Sequence, residues 1–123
     1  MRFAQADDSD GYLILAYGPE GVRIGARLYR RGLVLTPSRL LDDWGPACAQ
    51  ELAPDHFAPI LELAPELIVL GTGRTQVFPD PAILAAVMER GIALESMDTG
   101  AACRTYNILM SEGRRVAAAL LPW

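Results

Sequence analysis

Two aliphatic stretches, Leu67-Ile68-Val69-Leu70 and Ile92-Ala93-Leu94-Glu95-Ser96, place the strongest constraint on what this chain can fold into. A continuous aliphatic run such as Leu67 to Leu70 suits a strand covered on both faces, as in a parallel sheet. Between the two, Asp80-Pro81 opens a helix, with Asp80 as N-cap and Pro81 at the first helical position. Ile83, Leu84, Val87 and Met88 supply the apolar stripe of that helix. Arg90-Gly91 closes it with a cation and a C-cap glycine. The outcome is a β-α-β unit, expected to be parallel and right-handed. Its two trailing loops, Gly71-Thr72-Gly73-Arg74 and Met97-Asp98-Thr99-Gly100, then emerge at one edge.

The flanking segments fill in an α/β domain. A second helix begins at Asp98-Thr99, either of which can cap it, and Glu112-Gly113 ends it; Ala102, Tyr106 and Leu109, with Cys103 and Met110, make its buried side. Val116 to Leu121 is a last strand, rich in alanine where a helix lies close over it. The N-terminal half reads as short strands: Tyr12 to Tyr17, stopped by Gly18-Pro19-Glu20-Gly21, then Val22 to Ile24 and Ala26 to Tyr29, one bulged strand or two with Gly25 at the break, then Leu33 to Leu35, ended by Thr36-Pro37. Residues 37–58 carry the weakest signal, since Gly45, Pro46 and Pro54 limit any helix to a few turns. Trp44 within it is expected as a lid on the core edge, with an exposed partner anchor as the alternative. A short helix with Pro59 at its first position should turn Ile60, Leu61 and Ala64 inward. At 123 residues, residues 1–123 are expected as one domain with a mixed sheet, antiparallel strands first and the β-α-β unit later.

Several function classes lose support at once. The net charge is −4, which disfavours nonspecific binding to nucleic acid or anionic lipid. All eleven basic residues are arginine, for which a GC-rich genome is the plain cause. No apolar run approaches the ~20 residues of a membrane span. Asp7, Asp8 and Asp10 near the start leave no room for a signal peptide, so a soluble, cytoplasmic protein is expected. Cys48 and Cys103 are expected as free thiols. With His56 the only histidine, no metal site is expected and no cofactor is implied. The dinucleotide fingerprint wants a third glycine where Gln76 stands, and the phosphate loop wants a lysine the chain lacks. No nucleophile elbow occurs. Cys103 lies near a helix N-terminus, but also on its apolar side, so no catalytic residue is assigned.

What remains is the loop edge, where ligands bind in open α/β sheets. Gly71, Thr72, Gly73 and Arg74 from one loop, Met97, Asp98 and Thr99 from the other, and Arg104 and Asn107 on the following helix form the candidate ligand site. The amides of Gly100, Ala101 and Ala102 add an anion-favouring helix start. Each feature also has a structural explanation: Gly-Thr-Gly is a tight strand exit, and Arg104 can pair with Asp98 or Glu112. Asn107, a poor mid-helix residue, is expected to tie its helix to the loop at Gly71–Gly73, with a ligand contact second.

The segments Leu67-Ile68-Val69-Leu70-Gly71-Thr72-Gly73, Met97-Asp98-Thr99-Gly100-Ala101-Ala102-Cys103-Arg104-Thr105-Tyr106-Asn107, Glu112 and Val116-Ala117-Ala118-Ala119-Leu120 together resemble the Mth938-like (DUF498) family of small proteins. The resemblance covers most of the chain and is specific from Glu66 onward. It implies an α/β, three-layer fold with a mixed β-sheet. Its eukaryotic members include a mitochondrial assembly factor for respiratory complex I that works by binding other proteins. A bacterial protein-binding factor for biogenesis of respiratory or membrane complexes is the function so implied, with no catalytic residues to carry over. A small anionic-metabolite binder or enzyme using the loop edge is the other reading. A dimer through an exposed early strand is compatible with the sequence, which does not decide it.

Overall fold

The computed structural model describes residues 3–5 and 11–123. Asp7, Asp8 and Asp10 lie outside them. The described strands are β1 (Ala4–Gln5), β2 (Ile14–Gly18), β3 (Gly21–Ile24), β4 (Arg27–Tyr29), β5 (Leu33–Leu35), β6 (Arg39–Asp42), β7 (Leu67–Gly71), β8 (Ala93–Met97) and β9 (Val116–Leu120). The helices are α1 (Ala58–Glu62), α2 (Pro81–Glu89) and α3 (Thr99–Ser111), with single 3-10 turns at Ala49–Glu51 and Pro54–Phe57.

Six strands form one mixed sheet in the order β1-β6-β5-β9-β7-β8. The aliphatic runs do pair in parallel, Leu67 against Ala93 through Gly71 against Met97. On its other side β7 pairs in parallel with β9, and β9 joins antiparallel β5. The remaining strands β2, β3 and β4 make a separate antiparallel sheet. The 22–29 segment is therefore two strands, turned by Gly25 at φ +60°.

Because side chains alternate along a strand, the central strands feed two apolar layers. Ile68 and Leu70 of β7, Ala117 and Ala119 of β9, and Val34 of β5 face one side, where Phe57, Ile60, Ile83 and Val87 meet them. Val69, Ala118, Leu33 and Leu35 face the other, beneath Ala102, Cys103 and Tyr106 of α3 and Ile14, Val22 and Ile24 of the small sheet. The molecule thus has three layers, with the six-stranded sheet in the middle. Of the buried alanines of β9, Ala118 lies beneath α3, and Ala117 and Ala119 are covered from the other face.

Local details agree with the residues that specify them. The Asp80 carboxylate accepts the Ala82 amide at 2.8 Å, capping α2 behind Pro81. Gly91 and Gly113 take positive φ after α2 and α3, as C-cap glycines do. Three expectations need correction, and one segment without a reading proves to be a strand. Met88 is 72% exposed, because the inward stripe of α2 narrows to Ile83 and Val87. Ala64 is exposed at φ +50°, because α1 stops at Glu62 and the chain reverses ahead of Pro65. The Arg39–Asp42 segment is a strand: Leu40 and Leu41 are buried on opposite faces, so it shows no alternation to find it by. Trp44, finally, is no lid. It is buried in the core, edge-on to Phe57 with ring centres 5.8 Å apart, and its indole N–H donates to the His56 carbonyl at 2.7 Å. That burial removes it as an exposed partner anchor.

Trp44 thereby fastens the 3-10 turns to the sheet. Trp44→Ala is expected to lower unfolding free energy by about 3–5 kcal/mol in urea titration, as for other large-to-small core changes.

Candidate functional site

The loops after β7 and β8 meet at the carboxyl ends of their strands. The Thr72 amide donates to the Met97 carbonyl at 2.9 Å, and the Thr99 amide donates to the Gly73 carbonyl at 2.8 Å. At the centre is the buried hydroxyl of Thr99. It accepts the Gly73 amide at 2.8 Å and donates to the Leu121 carbonyl at 2.7 Å. One side chain therefore joins the exit of β7, the start of α3 and the exit of β9. Gly71 is required at this joint, since a Cβ there would lie 2.9 Å from the Thr99 Cα. Gly73 sits at φ +102°, a conformation other residues rarely adopt.

The same bonds occupy the donors that a ligand would use. Besides the Gly73 amide, the Ala101 amide is held by the Asp98 carboxylate at 2.8 Å and the Ala102 amide by the Asp98 carbonyl at 2.9 Å. Asp98 is thus the cap of α3. The Thr72 hydroxyl donates to the Thr75 carbonyl at 2.7 Å and accepts the Val77 amide at 3.0 Å, closing its own loop. The Met97 sulfur accepts from the Thr105 hydroxyl at 3.4 Å. Of the nine candidate residues, Gly71, Thr72, Gly73, Met97, Asp98 and Thr99 are brought together in this network. Arg74 points from it as an exposed cation.

Arg104 and Asn107 go elsewhere, toward the small sheet. The Arg104 guanidinium donates to the Tyr17 hydroxyl, not to Asp98 or Glu112, and lies 5.7 Å from the Tyr17 ring centre. The Tyr17 hydroxyl beside it raises its pKa further. Tyr17 in turn stacks on Trp123, with ring centres 6.1 Å apart. Asn107 does not reach the Gly71–Gly73 loop. Its amide oxygen accepts the Ile14 N–H at 3.0 Å and its amide nitrogen donates to the Ile14 carbonyl at 2.8 Å. It thus completes the outer edge of β2 as a neighbouring strand would. From the preceding residue, the Tyr106 hydroxyl donates to the Tyr12 carbonyl at 2.6 Å. Tyr17 and Trp123 were not foreseen as members of this surface. Their partners are 87 and 106 residues apart in sequence, and no local pattern links them.

Cys103 faces the core, and burial pushes its thiol up to about 12, ahead of opposing pull from Arg104. Almost none is thiolate at neutral pH, so it lacks the activation a nucleophile needs. Among the described residues, no three His, Cys, Asp or Glu side chains gather closely enough to hold a metal.

Residues 14–121 match the family model described as "Protein of unknown function (DUF498/DUF598)". Over 125 residues, 99% of this chain and 71% of the relative, the chain is 36% identical to NADH dehydrogenase [ubiquinone] 1 alpha subcomplex assembly factor 3 of Danio rerio. The chain spans about two thirds of the length of the curated relatives it matches. Among solved structures, a crystal structure of a Bordetella parapertussis protein superposes with a TM-score of 0.87 at 32% identity, covering 94% of this chain and all of that one. A solution structure from Bordetella pertussis, described as a Mth938-like domain, gives 0.82 at 26% identity over 99% of this chain and 92% of that one. The three-layer α/β fold with a mixed sheet, expected from the resemblance, is the fold of this chain.

Two outcomes follow from the joint. Thr99→Val keeps the shape but strands a buried donor and a buried acceptor; it should cost about 2–4 kcal/mol by chemical denaturation. Iodoacetamide at pH 8 should alkylate exposed Cys48 and spare Cys103 in the folded chain, with both modified in urea, as intact mass will show.

Proposed function

The chain belongs to the DUF498/DUF598 family of proteins of unknown function, and from that membership we propose a protein-binding factor that assists assembly or biogenesis of respiratory or membrane protein complexes. The observation that carries this reading is the likeness to an NADH dehydrogenase assembly factor along 99% of the chain. In this reading residues 1–123 act as one domain in the bacterial cytoplasm. No helix among the described residues is long and apolar enough to cross a membrane.

The surface around β2 supports the proposal. Leu13 and Leu15 are 41% and 58% exposed on either side of Ile14, the residue Asn107 holds, and Ile108, next to Asn107, is 59% exposed. Large apolar side chains gathered at one exposed place are characteristic of protein contacts. Because Asn107 binds both polar groups of Ile14, this part of the strand is held rigidly and is preorganised for docking.

A second reading draws on Arg104. Its guanidinium is exposed and bonded to the Tyr17 hydroxyl, and it forms no ion pair among the described residues. A small anionic metabolite at the Gly71–Arg74 and Met97–Arg104 edge would use that charge together with Arg74. Thermal-shift screening against anionic metabolites should then find a stabiliser whose effect is lost in Arg104→Ala.

For the preferred reading, crosslinked affinity capture from the source cells should recover NADH dehydrogenase subunits or another reproducible protein partner. The double change Leu15→Asp with Ile108→Asp should lower recovery tenfold or more while leaving the unfolding midpoint nearly unchanged. Recovery of no reproducible partner would sink the proposal.

A further inference from the structure

At the pole opposite the loop edge, where β7 and β9 begin, the structure holds a cleft of about 440 Å³. That volume lies within the range of small-ligand sites. Three separate segments wall it: the β5–β6 turn, the chain between α1 and β7, and the turn from α3 into β9. Its apolar body comes from Leu63, Pro65, Met110 and Val116, of which Pro65 and Val116 are buried. Arg39, Arg114 and Arg115 also line it, and none of the described lining residues is acidic.

In a chain of net charge −4, three arginines gather on one cleft. Their partners decide how much charge remains. Arg114 is paired through Nε with Glu66 at 3.0 Å, and the same carboxylate accepts the Arg115 backbone amide at 2.9 Å. Glu66 is consequently held below the usual carboxylate range, by the Arg115 amide first and Arg114 second. The Arg115 guanidinium donates to the Ala64 carbonyl at 3.3 Å, which orients it, and it forms no ion pair among the described residues. Arg39 forms no ion pair among the described residues. Two guanidinium groups without an ion pair among the described residues therefore border an apolar hollow, Arg115 within electrostatic reach of Glu66. Guanidinium forks suit carboxylate and phosphate oxygens, and the hollow suits a hydrocarbon body.

We propose that this cleft binds a small amphipathic anion, a carboxylate or phosphate head carried on a short apolar body, with Arg39 and Arg115 on the head and Leu63, Met110 and Val116 around the body. The site is remote from the loop edge and borders the β2 surface, since the Tyr12 amide donates to the carbonyl of Pro37, which lines the cleft; it uses different residues and stands independently of either reading.

Amide-resolved NMR titration of the full chain with sodium hexanoate tests it, alongside acetate (head alone) and 1-hexanol (body alone). Hexanoate should shift the amides of Ser38, Gly113 and Arg115 in a saturable way, and acetate and hexanol should each bind at least tenfold more weakly. Arg39→Met keeps an apolar stem and removes the charge; it should weaken hexanoate at least fivefold with the rest of the spectrum unchanged. Arg115→Met should do the same. Hexanoate shifts scattered over the surface, equal binding by hexanol, or undiminished affinity in both arginine variants would each overturn the proposal. A triple change, Asp7→Asn, Asp8→Asn and Asp10→Asn, adds a further arm. Binding that appears only in that variant would also overturn the proposal, since the cleft would not be open to a free anion in the natural chain.

Discussion

The hydroxyl of Thr99 is the interaction on which the arrangement rests. A parallel sheet brings strand ends together but leaves their trailing loops with backbone groups that no ladder satisfies. Here one buried side chain accepts a hydrogen bond from the Gly73 amide and donates one to the Leu121 carbonyl, so β7, β9 and α3 are closed in a single step. Burial makes the bond consequential, because neither backbone group has water to fall back on. Glycine at 71 is what lets the helix start come this close, and glycine at 73 supplies the positive φ of the loop. The loop edge is therefore built by the same residues that a ligand would have needed, and most of its donors serve the fold.

Helix α3 carries this logic to the other sheet. Its apolar side packs on β7 and β9 through Ala102, Cys103 and Tyr106, while the residues at its margin turn to β2. Asn107 supplies both a donor and an acceptor to Ile14, and Tyr106 caps the Tyr12 carbonyl. An asparagine in mid-helix gives up some helix propensity. What it secures is an edge strand that cannot easily pair with another chain at that point. The small sheet is thus anchored from one side, and its exposed leucines are displayed from a fixed backbone.

What the residues disclosed beforehand divides along the same line between local and distant causes. The Asp80-Pro81 cap, the C-terminal glycines and the β7–α2–β8 unit follow from neighbours in sequence, and all are present with shifts of a residue at strand ends. The adjacency of the two loops followed from parallel pairing alone. By contrast, β6 offers two adjacent leucines facing opposite layers, which reads as no pattern at all. Ala64 was expected to face inward because a helical period was continued past the point where Pro65 stops it. Asn107 was recognised as needing a partner, but the partner lies 93 residues away on a strand whose position only tertiary packing sets. The Tyr17–Trp123–Arg104 cluster is of the same kind.

The two poles of the sheet differ in a way that bears on how such a fold can take on a task. At the carboxyl ends, Asp98, Thr72 and Thr99 spend their hydrogen bonds on neighbouring backbone, and the surface is closed. At the amino ends, the chain leaves α1 through a strained alanine and enters β9 through two arginines, and a hollow remains between them. A left-handed alanine persists only where its surroundings hold it, and such positions concentrate at functional places. Here the carbonyl of that alanine is what fixes the Arg115 guanidinium beside the hollow. Strain and the orientation of a cation thus coincide at the end of the sheet that fold position alone would have passed over.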